Sequence, residues 1–353
     1  MTTTMASEIA EQPAALDATL TALLPLREEL RRLDTGRREV LLVARGTSDN
    51  AGVYGRYLLE VHAGRGAALG APSLSTHYRV RRDLSDTLVI CLSQSGETTE
   101  IVETQEWLRG CGARTVAITN VEDSPLAESA DLVLITQAGA ERAVPATKSH
   151  TAQLAAIAVI ADALGPADDP LEPLLRRVPD EVERLLAQRD GVEAAVAALE
   201  RTGTTLVSGR GLVFGTALEV ALKLEETCLR PVRGLSYADL RHGPIAVVDR
   251  DVATVLVSAN DGPMVAGMTE LAGDLQALGA TTVGLGGDAT FQAACEVAVA
   301  GPRLPERVTP LALVVPAQLI VEALARRSGL DPDAPRALSK VTETDPTGSG
   351  SER

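Results

Sequence analysis

Three segments of the chain recur, each about 165 residues further on. Leu41-Leu-Val-Ala-Arg-Gly46 returns as Thr205-Leu-Val-Ser-Gly-Arg210. Leu88-Val-Ile-Cys-Leu-Ser93 returns as Ala253-Thr-Val-Leu-Val-Ser258. Leu108-Arg-Gly-Cys-Gly-Ala-Arg-Thr-Val-Ala117 returns as Leu275-Gln-Ala-Leu-Gly-Ala-Thr-Thr-Val-Gly284. Each copy carries short apolar runs whose length and Val/Ile content suit strands buried on both faces, with helical patterns between them. In the first copy these runs are Val40–Val43, Leu88–Leu92, Thr115–Ile118 and Leu132–Ile135. Alternating strand and helix demands parallel pairing with right-handed crossovers. The expected fold class is therefore α/β: two tandem, doubly wound modules with parallel sheets, three layers α/β/α each, related by internal duplication.

Ligands of such sheets bind at the C-terminal ends of the strands. Two such ends in the first copy are rich in hydroxyls. One is Gly46-Thr47-Ser48; the other is Ser93-Gln94-Ser95-Gly96-Glu97-Thr98. Each opens a helix, where free backbone N–H groups and the positive end of the helix dipole favour a phosphate. The same Ser and Thr residues could equally serve as helix caps. Neither the lysine of a Walker loop nor the G-x-G-x-x-G spacing is present. The second copy reads Ser258-Ala-Asn-Asp-Gly-Pro263 at the matching place, with an added negative charge, so phosphate binding is expected in the first copy alone.

The formal net charge of −15 argues against a nucleic-acid partner. No apolar run reaches the roughly 18 residues of a membrane span, and Met1–Ala10 has no signal-peptide character, so a cytoplasmic protein is expected. Cys91, Cys111, Cys228 and Cys295 are scattered without a C-x-x-C, and neither a disulfide framework, a metal site nor a cofactor is expected. Residues 1–12 read as frayed, and Ala14–Leu33 as one amphipathic helix. Gly165–Pro173, with three prolines and three acids, reads as a linker.

In the second copy, Glu219, Lys223 and Glu226 fall at i, i+4 and i+7 on one helix face. Read in isolation they are a surface ion-pair ladder. His242 precedes Gly243-Pro244, and Lys340 lies in Pro335-Arg-Ala-Leu-Ser-Lys-Val-Thr-Glu343.

Taken together, Ser-Gln-Ser-Gly-Glu-Thr at 93–98, Ala-Leu-Glu-x-Ala-Leu-Lys-Leu-x-Glu at 217–226, Leu-x-His-Gly-Pro at 240–244 and Pro-Arg-x-Leu-x-Lys-x-Val-Thr at 335–342 resemble the sugar isomerase (SIS) family. The order and spacing over roughly 38–343 are similar to the isomerase half of glucosamine-6-phosphate synthase. Arg-Gly-Thr-Ser-Asp-x-Ala-Gly-Val at 45–53, Ala-Thr-Lys-Ser at 146–149 and Asp-Pro-Asp at 331–333 resemble, more closely, the short SIS-type glucosamine-6-phosphate deaminases.

The resemblance implies roles. Glu226 matches the base that moves a proton between C1 and C2. His242 matches the residue that opens the sugar ring and serves the neighbouring subunit's site. Lys340 matches a tail lysine over the sugar that can form an imine with a ketose, and Lys223 a lysine beside the base. The phosphate and sugar would be held by Gly46, Thr47, Ser48, Ser93, Gln94, Ser95, Thr98, Val144, Ala146 and Ser339. The expected layout is an N-terminal helical segment (1–37), a phosphate-binding SIS module (38–165), a helical linker (166–202), a catalytic SIS module (203–330) and a tail (331–353), acting as a homodimer with shared sites.

The implied reaction is that of an aldose–ketose isomerase and deaminase, taking glucosamine 6-phosphate to fructose 6-phosphate and ammonia. Simple aldose–ketose isomerisation without loss of ammonia is one alternative, and two more stay open. One is a dehydratase acting on N-acetylglucosamine 6-phosphate, by C2 proton removal with loss of the C3 hydroxyl. The other is a non-catalytic sugar-phosphate sensor. Three departures bear on the choice: Glu225 stands where relatives commonly have Lys, Ala146 where the synthase has Ser, and Arg233–Ser236 replaces a His-Ala-Glu-Ala-type run. No glutaminase-like segment with an N-terminal cysteine precedes the isomerase-like part, so glutamine is not the expected ammonia source.

Overall fold

The structure, a computed structural model, describes residues 2–36 and 38–340. Two five-stranded, all-parallel sheets organise it. The first holds β1 (Glu39–Val43), β2 (Gly66–Leu69), β3 (Thr87–Leu92), β4 (Arg114–Thr119) and β5 (Leu132–Ile135), in the order β2-β1-β3-β4-β5. The second holds β6 (Thr204–Gly209), β7 (Val232–Ser236), β8 (Val252–Ser258), β9 (Thr281–Gly286) and β10 (Val297–Val299), in the order β7-β6-β8-β9-β10. The orders are the same, which is the duplication expressed as topology. The central strands β3 and β8 are buried along their whole lengths. That accounts for their unbroken apolar runs.

The chain leaves β1 and β3 in opposite directions, which opens a crevice between their ends. These strands pair in register, with Val43 beside Cys91. The segments starting at Arg45 and Ser93 therefore abut.

The two sheets do not form separate bodies. Helices Lys148–Leu164 and Pro310–Arg327 are buried over nearly their full length, and one continuous apolar core runs through both modules. Helix Gly46–Ala63, which follows β1, packs on helix Phe214–Cys228, its counterpart after β6. The contact is close because Gly215 presents no side chain. A Cβ there would lie 2.5 Å from the Asn50 carbonyl oxygen. With so few aromatic residues, the core rests on Leu, Val, Ile and Ala. Among the described residues, no helix is long and apolar enough to cross a membrane.

The N-terminal reading needs correction. Thr4–Ala10 is a helix rather than a frayed end, with Met5 and Ile9 fully buried. The Asp333 carboxylate accepts hydrogen bonds from the Thr4 and Met5 N–H groups at 2.8 and 2.7 Å. Those partners lie more than 300 residues away in sequence, beyond any local pattern. The expected single helix over Ala14–Leu33 is two helices, Gln12–Leu23 and Arg27–Asp34. A tight turn at Leu24–Leu26 separates them, because Pro25 has no N–H to continue the ladder.

Candidate active site

The crevice side of the site is built by the first module. Gly46 takes a left-handed φ of 56° as the chain turns from β1 into its helix. After β3, the Ser93–Thr98 turn folds on itself. Ser93 Oγ and Thr98 Oγ1 lie 3.1 Å apart, and the Gly96 and Glu97 N–H groups donate to Ser93 Oγ and Ser95 Oγ at 3.2 Å each. Only glycine fits at 96: φ is 66°, and a Cβ would sit 2.2 Å from Ser124 Oγ. The Asn120 N–H and the Thr119 hydroxyl donate to the Gln94 carbonyl at 3.0 and 3.3 Å, so the end of β4 braces the turn. Helix Thr99–Gly110 follows at once. The result is a small basin of hydroxyls and a helix N-terminus, suited to an anion. At its rim, Arg45 pairs with both oxygens of the buried Glu100 at 2.9 and 2.8 Å.

The opposite wall comes from the second module. On helix Phe214–Cys228, Lys223 Nζ lies 2.5 Å from Glu226 Oε2 and 3.6 Å from Glu219 Oε1. The ladder is not on the surface. Glu219 and Lys223 are buried, while the Glu226 side chain keeps 25% exposure toward the cavity. Residues of the first module fix Glu219: Asn50 Nδ2 donates to it at 2.9 Å and Thr47 Oγ1 at 3.2 Å. Burial works against the Lys223 ammonium, but the carboxylates of Glu219 and Glu226 outweigh it and hold its pKa above the ordinary lysine value.

The tail closes the cavity through Leu338, Ser339 and Lys340. Lys340 Nζ donates to Glu141 Oε2 at 2.7 Å and to the Ala143 carbonyl at 2.8 Å. Glu141 is fully enclosed and also accepts from Ser149 Oγ at 2.6 Å, Thr147 N–H at 2.9 Å and Ser149 N–H at 3.0 Å. Burial pushes its carboxyl upward, yet Lys340 and Ser149 prevail and hold it below the ordinary glutamate value. The described part of the tail is tied to the first module. Residues 331–340 are anchored by Lys340 and by Asp333, whose carbonyl accepts from Val144 N–H at 2.9 Å. Residues 341–353, including the end of the tail motif, lie outside the described residues.

Gly46, Thr47, Ser48, Ser93, Gln94, Ser95, Thr98, Val144, Ala146, Lys223, Glu226, Ser339 and Lys340 together line one cavity of about 460 Å³. That lies within the roughly 300–1,000 Å³ of small-molecule sites. His242 is the exception. It is exposed after helix Tyr237–Arg241, at the edge of the second sheet, outside this cavity. Of the three departures, only Ala146 lines the cavity. Glu225 and Arg233–Ser236 do not. Glu225 sits on the solvent side, its pKa raised by partial burial and, less, by Glu226.

Arg45, Glu141 and the anchoring of Glu219 add to what the motifs promised. Glu141 carries no local signal beyond its place just ahead of the Ala-Thr-Lys-Ser segment. A larger, more open hollow of about 720 Å³ lies beyond the 141–148 segment, walled by Glu8, Glu11, Arg142 and Lys148. It has no hydroxyl-rich strand end. Among the described residues, no three His, Cys, Asp or Glu side chains converge as a metal site.

Comparison with known proteins speaks to the family and the fold. The SIS domain profile matches residues 35–163. The chain is 35% identical to the glutamine–fructose-6-phosphate aminotransferase (isomerizing) of Symbiobacterium thermophilum, over 95% of this chain and 58% of that protein. It thus spans a little over half the length of the curated relatives it matches. The C-terminal domain of the glucosamine–fructose-6-phosphate aminotransferase of Francisella tularensis superposes with a TM-score of 0.85 at 26% identity, covering 95% of this chain and 99% of that one. A Silicibacter pomeroyi protein assigned as a phosphosugar isomerase superposes with a TM-score of 0.83 at 30% identity, covering 94% and 100%. A duplicated parallel fold, a hydroxyl-rich strand end and kinship over nearly the whole chain converge on one conclusion: this chain belongs to the SIS domain family.

Proposed function

We propose that the chain is an amino-sugar phosphate isomerase and deaminase, converting glucosamine 6-phosphate and water to fructose 6-phosphate and ammonia. One observation carries this reading. The hydroxyl-rich turns of the first module and the Lys223–Glu226 pair of the second face each other across a single cavity. A sugar phosphate anchored at Ser93–Thr98 and Gly46–Ser48 reaches the carboxylate with its C1–C2 end. The phosphate supplies remote binding energy that holds the reacting carbons in place. The relatives' names refer to fructose 6-phosphate, which supports a hexose 6-phosphate as ligand.

In the open-chain aldose, Glu226 removes the C2 proton and returns it to C1. The electrons of the C2–H bond pass through an enolamine, and the C2 amine becomes an imine. Water adds at C2 and ammonia leaves, giving the ketose. Lys223 orients Glu226 and balances its charge. Lys340, tied to Glu141, covers the sugar end. Ring opening falls to His242 of the partner subunit in a homodimer, since His242 lies outside the cavity of its own chain.

The deciding experiment incubates the protein separately with glucosamine 6-phosphate and its N-acetyl form. Ammonia, ketose and ultraviolet absorbance are followed together. Ammonia and fructose 6-phosphate from the first sugar alone are the expected result. Absorbance from the second sugar without ammonia overturns deamination in favour of dehydration. Stabilisation by either sugar without turnover assigns a sensor instead.

A further inference from the structure

Among the residues that line the cavity, Arg45, Lys223 and Lys340 are the cations. Lys223 is held by Glu219 and Glu226, and Lys340 by Glu141. Arg45 has no part in the reaction as described. It is the N-cap residue of helix Gly46–Ala63, so it stands where β1 opens into the basin. Its fork is only partly used. Nε donates to Glu100 Oε2 at 2.9 Å and Nη2 to Glu100 Oε1 at 2.8 Å. The second N–H of Nη2 and both N–H groups of Nη1 have no acceptor among the described residues. In a planar fork paired through Nε and Nη2, Nη1 points away from the carboxylate. The Glu100 side chain is 6% exposed and does not line the cavity, whereas that of Arg45 is 44% exposed and does. The carboxylate thus stands behind the guanidinium, and the unspent donors are on the open side.

The repeat supplies a contrast. Arg210-Gly211 follows β6 as Arg45-Gly46 follows β1, with nearly the same backbone at the arginine: φ is −143° and −141°. The Arg210 guanidinium, however, lies over the Tyr237 ring, 4.4 Å from its centroid. In the first module the same position is braced by a carboxylate and opens on the cavity. Hydroxyls and a helix N-terminus can hydrogen-bond an anion, but they carry no full charge to set against a phosphate in a chain of net charge −15. A guanidinium supplies that charge, with donors spaced for two phosphate oxygens. We propose that Arg45 is the charge-reading residue of the basin: its unspent donors take the oxygens of a phosphate monoester dianion seated at Ser93–Thr98, while the buried Glu100 holds the fork in place. The proposal rests on the reading of that basin as the seat of a sugar phosphate.

Calorimetric titration of the full chain tests it with glucosamine 6-phosphate and with glucosamine 6-sulfate, whose ester group carries a single negative charge. Glu226→Gln is present throughout, so that turnover contributes no heat. Arg45→Met should weaken binding of the phosphate by about tenfold to a hundredfold, the loss expected for a hydrogen bond between charged groups. It should weaken the sulfate less, so that the preference for phosphate shrinks. Glu100→Gln should stay within about threefold of its parent, since an amide oxygen still accepts from the fork. The double variant Arg45→Met/Glu100→Gln separates ligand binding from support of the fold. It strands no carboxylate in the interior, and its phosphate binding should remain as weak as that of Arg45→Met. If Arg45 serves only as the partner of Glu100, the double variant returns to parental affinity. That return, or a preference for phosphate that Arg45→Met leaves unchanged, overturns the proposal. Should Arg45→Met not fold, the double variant is compared directly with Glu100→Gln. A chain that converts neither sugar but binds through Arg45 loses the deaminase reading and keeps this one. Conversion at a KM that Arg45→Met does not alter does the reverse.

Discussion

After β3 the chain makes the turn Ser93–Thr98; after β8, at the same place in a sheet of the same order, it makes the turn Ser258–Pro263. The first turn is open. Its hydroxyls bond one another and its own backbone, and they face a cavity. The second is filled by the chain itself. Asp261 Oδ1 accepts from Glu306 N–H at 2.8 Å, and the Glu306 carboxyl is pushed upward by burial and by Asp261. Ser258 Oγ donates to the Ala259 carbonyl at 3.1 Å. An anion there would meet two acids, whereas in the first turn it meets hydroxyls and a helix N-terminus. One copy keeps its strand end open to a cavity. The other closes its own and contributes a helix, Phe214–Cys228, to its neighbour's cavity. The proposed function thus divides binding and chemistry between the modules.

That division can be broken by experiment. Glu226→Gln should lower turnover about a hundredfold or more while leaving the apparent affinity for sugar phosphate near wild type. Steady-state kinetics at full turnover in this variant would remove the second module from the chemistry. Next in size, Ser95→Ala and Thr98→Ala should each raise KM about tenfold, as expected for loss of a charge-assisted hydrogen bond. Ser258→Ala and Asp261→Ala should leave KM unchanged. Matching effects at both turns would erase the difference between the copies.

Mixing inactive His242→Ala and Glu226→Gln subunits should restore about a quarter of wild-type activity, because half of a random mixture is hybrid and each hybrid has one intact site. Inactivity of confirmed hybrids would confine His242 to its own chain.

The last test reads stability rather than turnover and concerns the tail. Lys340→Met should cost about 2 kcal/mol, the scale of a hydrogen bond to a charged group, because it leaves the Glu141 carboxylate buried without its cation. The sign with pH follows from Glu141, whose folded pKa lies below its ordinary value. Its contribution is present above pH of about 4.5 and fades as pH falls through the depressed value. The gap in thermal midpoint between wild type and Lys340→Met should therefore be widest at neutral pH and close in acid. A gap that stays constant with pH would show that the tail is held by something other than this pair.

Some features were plain in the chain. Strands β3 and β8 announced themselves because each is buried on both faces, and burial on both faces demands an unbroken apolar run. The Ser93–Thr98 turn was legible because a strand end, a glycine and a helix start are local events. The spacing of Glu219, Lys223 and Glu226 placed them on one helix face, yet the same spacing describes a solvated ladder. Only the packing of helix Phe214–Cys228 on helix Gly46–Ala63 turned that face inward. Glu141 and the helix Thr4–Ala10 were missed for one reason: what holds them, Lys340 and Asp333, lies roughly 200 and more than 300 residues away.

The residue sequence by itself determined the buried strands, their parallel pairing and the doubled module, because hydrophobic period, turn chemistry and the right-handed crossover all act within a few tens of residues. The tertiary structure decided which module's helix faces which module's turn, which carboxylates lose water and which lysine closes the cavity. Those outcomes depend on close approach between distant segments, such as Gly215 against Asn50, where the presence or absence of one methyl group sets how near two helices come.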